Sequence, residues 1–474
     1  MVSERTFHLY GDNIVECERT LHIIERALAG EQIYRLGMGG TPANPVFRLA
    51  FRNRDERFSF AFFPGFGRWN TDVLQFVRGV GLREAPDIVI AEVIAGSSKP
   101  LMSVEYSGAL AAGNQAWQRS GRAYAHGRAR VPYLYVTEIG GQELGVQRDR
   151  RASRYPNPAV PFSYLCHSTT SRSVVLPVFV PNPGLTAEGR ARFAGVLGEE
   201  ELEGLVRAII LSEDSDLLEE LLSRKVLEFV ALISDSSTRG RTLKSEQWRD
   251  AYEAIAIDHN GFVDYLLTQE RIRWSKRISA KLDVTSRLRR LLAKAAEHGR
   301  GLTSESLPFC LLEVQGRMNF ASEVQILYPH ISNRFIEWLR KERPLAVCWL
   351  TGYKPRGDDS RPDRGLPPFA KMLVGDGCDL LSVVYGPGNP EHWRRLVDDP
   401  NALVANGLWE AIIATSDAIL IDSVTDYVST NGYLRSHWVV ADQPEIHEII
   451  PAETDRFRGT RRRYRNSPPV HRTK

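Results

Sequence analysis

The sequence predicts a mixed α/β protein with a strand-rich first third, a helical middle and a second α/β region. Three observations predict it. Between residues 47 and 137, short apolar runs of strand length alternate with turn-rich segments. Residues 199–300 carry apolar residues at helical spacing and no clear strand. From Cys310 onward the strand-like runs return, separated by helical stretches. With 474 residues, of which 43% are hydrophobic, the chain has enough apolar surface for two or three domains. The expected division is a core over 1–185, a mainly helical bridge over 186–305, a second α/β domain over 306–455 and a basic tail over 456–474.

In order, Ile14 to Leu28 has helical spacing, with Asp12 and Asn13 as possible N-caps. Phe47–Phe51 and Phe58–Phe63 read as strands, the second alternating Phe58, Phe60 and Phe62 with smaller residues. Ile88–Ile94 and Leu101–Tyr106 are apolar runs joined by Gly96-Ser97-Ser98-Lys99-Pro100, a turn composition that makes them a hairpin. Ala109–His126 reads as a helix and Val131–Thr137 as a strand. Residues 145–185, rich in Arg, Pro, Asn and Ser, read as loops and short strands. In the last third, strands are expected at Cys310–Val314, Leu345–Leu350, Leu380–Val384 and Ala418–Ile421, with a helix over Glu323–Lys341.

The net charge of +3 is unevenly spread. Residues 199–220 are acidic, Arg271–Arg300 is basic, and the tail after Asp455 carries arginines, including Arg461-Arg462-Arg463, and no acid. Such patches can follow a phosphate backbone even when total charge is near neutral. The five cysteines are scattered, which argues against a disulfide framework and a structural zinc site. No run of about 18 apolar residues occurs, and Met-Val-Ser-Glu-Arg lacks the apolar core of an export signal. The expected location is the cytoplasm.

The chemistry is expected at the hairpin. Folded about Ser97-Ser98, it pairs residues whose numbers sum to about 195, which brings Asp87 and Glu105 together at the open end. Two carboxylates converging from neighbouring strands suit Mg²⁺, a hard cation that takes carboxylate, water and phosphate oxygens. The plain alternative is a strand cap at Asp87 and a solvated Glu105. Against it, Glu105 stands in an otherwise apolar strand, and the next helix carries Gln115, Gln118, Arg119 and Arg122 on one stripe. Amides and guanidiniums beside paired acids fit phosphate binding. Read as metal ligands, Asp87 and Glu105 should be replaceable by alanine at little cost to stability.

Pro86-Asp87, Glu105-Tyr106-Ser107 and the helix "GNQAWQRSGRAY" resemble the PD-(D/E)XK nuclease core of type II restriction endonucleases. The resemblance spans roughly residues 10–140. It implies a restriction-endonuclease-like mixed sheet flanked by helices and Mg²⁺-dependent hydrolysis of double-stranded DNA. It also implies host defence alongside a DNA methyltransferase of the same specificity. Asp87 and Glu105 would bind the metal, with Glu16 on the first helix as an additional acid. Ser107 departs from the pattern, which places lysine there. Lys99, six or seven residues along the hairpin, lies about 20 Å away at roughly 3.3 Å per residue. Gln115 is the better substitute for orienting the water, and Arg119, Arg122 and Gln118 would hold DNA. Cutting both strands makes a homodimer the default.

Two other functions compete. One is a weak or inactive nuclease-like DNA-binding or regulatory subunit. The other is an enzyme acting on RNA or nucleotides through "GDDSRPD", where Asp358, Asp359 and Asp363 alternate with arginines. The chain has no GxxxxGK[ST], HExxH or GxSxG motif.

Overall fold

A computed structural model of the chain describes residues 3–53, 55–65, 73, 85–107, 114–140, 143–144, 150–151, 155–156, 158–235, 243–258, 260–274, 286–301, 309–329, 331–351, 365–386, 411–412, 414–423 and 431–434. For residues 114–118 it describes the backbone alone. The acidic loop with Asp358, Asp359 and Asp363 and the basic tail lie outside the described residues.

The first third opens with strand β1 (Ser3–Gly11) and helix α1 (Ile14–Ala27), followed by β2 (Ile33–Gly40), β3 (Pro45–Phe51) and β4 (Glu56–Pro64). The hairpin β5 (Ile88–Ile94) and β6 (Ser97–Ser107) comes next, then helix α2 (Asn114–Ala129) and β7 (Tyr133–Ile139). Two-residue strands β8 (Glu143–Leu144) and β9 (Arg150–Arg151) pair with each other, and α3 (Ala159–Ser171) leads into β10 (Val175–Pro181). Eight strands form one mixed sheet in the order β10-β7-β6-β5-β1-β4-β3-β2.

The centre of this sheet is β1, which the sequence did not announce. It lies parallel to β4 and antiparallel to β5. The Phe58/Phe60/Phe62 alternation explains why: Phe7 sits level with Phe60, its ring stacked on it at 5.1 Å and edge-on to Phe58 at 5.3 Å. Leu21 and Ile24 of α1 belong to the same fully packed cluster. Each such aromatic contributes about 1.5–3 kcal/mol by burial.

The hairpin turns two residues earlier than expected. Ala95 (φ 51°) and Gly96 (φ 81°) occupy the turn, and Ile94 pairs with Ser97. A two-residue hairpin turn of this hand needs positive φ at both central positions, which Gly96 accepts freely. The pairing sum is 191 from Ile94 with Ser97 to Ala91 with Pro100, and a bulge that skips Leu101 raises it to 192 at Ile88 with Val104, rather than 195, so that Asp87 stands beside Glu105.

Residues 145–185 also differ from expectation. They contain α3, whose residues Ala159–His167 are all buried, and β10. A helix buried on every side has no polar stripe, so periodicity does not reveal it. Pro161 falls in the first turn of α3 and Pro177 on the outermost strand, where each ring is tolerated.

The middle is helical as expected: α4 (Ala187–Phe193), α5 (Glu199–Leu211), α6 (Asp216–Asp235), α7 (Ser245–Ile257), α8 (Gly261–Thr268) and α9 (Ser286–His298). It shares the first sheet's core, since Phe229 of α6 packs on Phe179 of β10 at 4.0 Å.

The second sheet runs β11-β12-β13-β14-β15-β16. Its strands are β11 (Gly299–Arg300), β12 (Phe309–Leu312), β13 (Leu345–Thr351), β14 (Asp379–Gly386), β15 (Ala418–Ser423) and β16 (Asn431–Leu434). Strands β13, β14 and β15 are parallel. The helix expected over Glu323–Lys341 is two, α10 (Val314–Leu327) and α11 (Asn333–Leu339). Pro329 bars continuation, and the Ser332 hydroxyl caps the second by accepting from Phe335 N at 3.3 Å. Helix α12 (Leu366–Val374) is buried throughout and packs on α2 and α3, joining the two sheets in one core. The molecule is thus a mixed α/β structure with a large mixed sheet flanked by helices.

All five cysteines are buried free thiols. Among the described residues no helix is long and apolar enough to cross a membrane.

Candidate functional site

The open end of the β5/β6 hairpin meets the start of α1 and one face of α2. Asp87 lies at the junction and is tied to each neighbour through backbone groups. Its carbonyl accepts from Asp12 N at 2.9 Å, its Oδ2 accepts from Tyr106 N at 2.9 Å, and its own N–H donates to Glu105 Oε2 at 3.3 Å. The last two bonds cross between neighbouring strands, so pairing of β5 with β6 itself sets the acids side by side.

Helix α1 supplies Glu16, and the turn that leads into it supplies Asp12. Asn13 takes the cap position, its Oδ1 accepting from Glu16 N at 3.1 Å, and Asp12 joins the acids instead. One carboxylate oxygen each from Asp12, Glu16 and Asp87 lies within 4.8 Å of the others. The helix is held over the hairpin by Thr20, whose hydroxyl is 2.8 Å from the Tyr106 hydroxyl and also donates to Glu16 O at 2.8 Å. Arg19 lies with its guanidinium 4.2 Å from the Tyr106 ring centre and reaches Glu138 at 3.5 Å.

Glu105 faces the other way, toward α2. It is 1% exposed, and its Oε1 accepts from Arg119 Nε at 3.0 Å and from Arg122 Nη1. Spacing of three residues places both guanidiniums on one helix face. Arg122 Nη1 is also 3.9 Å from Asp87 Oδ1, and Arg119 lies against the Tyr135 ring. The arginines assigned to phosphates by sequence are therefore engaged with the buried glutamate here.

This arrangement strains the ionisation of Asp87. Burial, then the charge of Glu105, pushes its carboxyl up to about 6, against the pull of Tyr106 N–H and the two arginines. Crowded carboxylate oxygens whose charge is hard to maintain are a fitting donor set for a hard divalent cation. Asp12, Glu16 and Asp87 could hold such a cation between them, while Glu105 stands outside this trio with its arginines.

Ser107 is the last residue of β6, 5% exposed and in regular parallel register with Thr137. Strand alternation therefore puts it on the Glu105 face. Lys99 pairs opposite Glu92 toward the closed end of the hairpin, far from the acids. Gln115 and Gln118 lie on α2 one turn before Arg119 and Arg122, and their side chains fall outside the described residues. The residue passed over in sequence is Asp12. It lies before the helix cap, so helical spacing does not reveal it; the bond from Asp12 N to the Asp87 carbonyl places it.

No protein-family model, no curated protein and no solved structure matches the chain. The functional reading therefore rests on the residues themselves.

Proposed function

We propose that the chain is a Mg²⁺-dependent endonuclease of the PD-(D/E)XK kind, hydrolysing phosphodiester bonds of double-stranded DNA in restriction-type host defence. The observation that carries this reading is the direct coupling of Asp87 to Glu105 and Tyr106 across β5 and β6, with Glu16 delivered by α1 and Asp12 by the turn before it. The element order β5, β6, α2, β7 agrees with the resemblance.

A bound Mg²⁺ supplies Lewis acidity toward a water and a phosphodiester oxygen. The chain's own part is positioning. Asp12, Glu16 and Asp87 fix where positive charge is accepted, and the Tyr106 N–H orients the Asp87 carboxylate. Arg119 and Arg122 offer guanidinium donors to a phosphate. They also place positive charge beside Glu105. Gln115, on the first turn of α2, is the candidate to orient the water.

Incubating supercoiled plasmid with the protein, with and without Mg²⁺, tests the reading. Nicking or linearisation that needs Mg²⁺ is expected, and intact plasmid under all conditions speaks for the inactive DNA-binding alternative. That alternative is favoured by Ser107 and by the pairing of Glu105 with two arginines. Linear product without a nicked intermediate would support the homodimer, since a duplex cut needs two sites. In a host, a DNA methyltransferase protecting the same sequence belongs to this reading.

Arg119→Ala is expected to weaken DNA binding on all sequences and to lower the salt slope by about one, since a phosphate contact carries no base information. Fluorescence anisotropy over a salt series reads both quantities, and a loss confined to one base position would make Arg119 a base reader instead. Gln115→Ala should slow single-turnover cleavage strongly while duplex affinity stays near wild type, and Ser107→Ala should do little. A dead Ser107→Ala beside a normal Gln115→Ala would reverse these roles.

A further inference from the structure

On the β2 side of the first sheet, strand alternation divides the residues between two faces. Leu49, Phe58 and Phe60 take the face of α1, where Arg35 of β2 also pairs with Glu25 of that helix. The opposite face carries Tyr34, Arg48, Arg52 and Arg57, all exposed. Arg48 and Arg52 lie four residues apart on β3, and Arg57 of β4 stands opposite Ala50, midway between them. The guanidinium-bearing positions thus follow one another in steps of about 7 Å along the strand direction. None of the three has an ion-pair partner among the described residues. Glu4 stands level with Arg57 on β1, and its carboxylate accepts from the Ser59 hydroxyl.

Between these side chains the face is floored by small residues, Ala50 and Ser59 on the inner strands and Gly37 and Gly39 on β2. A side chain at Gly37 would meet nothing within 4 Å, so the shelf is open there. Tyr34 is 43% exposed, and the Arg52 guanidinium lies 5.9 Å from its ring centre. Beside it, at the turn joining β3 to β4, an open cavity of about 820 Å³ is lined by Tyr34, Phe51, Arg52, Asn53 and Asp55. Guanidiniums without partners fit phosphates, an exposed ring fits the face of an unpaired base, and Asn53 and Asp55 offer donors and acceptors to a base edge. A duplex keeps its base faces stacked inside, so only a single strand would use the ring and the arginines together. We propose that this face of β2, β3 and β4 is a binding platform for single-stranded DNA, with Arg48, Arg52 and Arg57 on its phosphates and a base stacked on Tyr34. The choice of DNA over RNA rests on the nuclease reading of the same sheet; the platform itself does not.

Anisotropy of a labelled mixed-sequence DNA oligonucleotide over a salt series, on the full chain without divalent ions, tests the proposal. Tyr34→Ala should weaken binding about tenfold with the salt slope unchanged, and Tyr34→Phe, which keeps the ring, should bind as wild type does. Arg48→Gln, Arg52→Gln and Arg57→Gln together should lower the slope by about two, since each phosphate contact on a single strand contributes about 0.7. An oligonucleotide carrying 5-iodouracil should cross-link to Tyr34 on irradiation, as mapped by mass spectrometry. Unchanged affinity and slope in these variants, or cross-links confined to α2, overturns the proposal. If the variants weaken binding of a duplex or of an RNA strand more than that of the DNA strand, the occupant is wrong. Oligonucleotide binding that follows the variants in a protein that leaves plasmid uncut with Mg²⁺ would uphold the platform and count against the nuclease reading alone.

Discussion

Asp87→Asn is expected to abolish Mg²⁺-dependent cleavage while raising the stability of the fold at neutral pH. The loss of activity follows from removing a carboxylate that would hold the ion. Residues that merely support a ligand cost about 10–100-fold when replaced, so a direct ligand should cost at least about 100-fold. The gain in stability follows from linkage. The Asp87 carboxyl is raised from 3.8 to about 6 in the fold, so between those pH values the folded state binds more protons than the unfolded state. Stability then falls as pH rises through that window, and the deficit is fully present at pH 7. For a shift of this size it is about 3 kcal/mol at most. Asparagine carries no such charge, and its Oδ1 can still accept from Tyr106 N. Urea unfolding of both proteins from pH 4 to pH 7, without divalent ions, should show the wild-type midpoint falling relative to the variant. Parallel pH curves would remove the electrostatic argument, and retained cleavage would remove the site.

Glu105→Ala should behave in the opposite way on stability. A metal ligand at a solvated strand end could be deleted at little cost, and that was the expectation from sequence. The structure changes it for Glu105, because this carboxylate is buried and is the partner of two guanidiniums that are themselves largely enclosed. Removing one member of such a set leaves the others buried without compensation, at about 3–5 kcal/mol. Glu105→Gln keeps the side-chain shape and an acceptor for Arg119 Nε, so it should lose less. A mutant cycle with Arg122→Gln isolates the pairing: if the ion pair is the cause, Glu105→Ala costs less in the Arg122→Gln background than in wild type. Equal melting of Glu105→Ala and wild type would show that the contacts are not maintained in solution.

Much of the site was legible before any coordinates. Pro86-Asp87 and Glu105 stand at the ends of two apolar runs joined by a turn, and pairing across any short hairpin brings them together. The stripe holding Arg119 and Arg122 follows from helix spacing alone, as does the mixed α/β class with its helical middle. These are local properties, carried by periodicity and turn composition within a few residues. Long-range pairing has no such signature. That β1 runs through the centre of the sheet, between β4 and β5, depends on aromatic faces meeting across about fifty residues of chain, from Phe7 to Phe60. Helix α3 was hidden because burial on all sides erased its polar stripe. The turn at Ala95-Gly96 was decided by the positive φ that a tight hairpin demands, and together with the bulge at Leu101 it moved Asp87 level with Glu105. Tertiary packing alone decided the two facts that matter most for chemistry. Docking of α1 through Thr20 and Tyr106 places Asp12 and Glu16 beside Asp87, and docking of α2 gives Glu105 its arginine partners. The sequence supplied the charged groups; which carboxylate meets a cation and which meets an arginine depends on distances of a few ångströms between elements far apart in the chain.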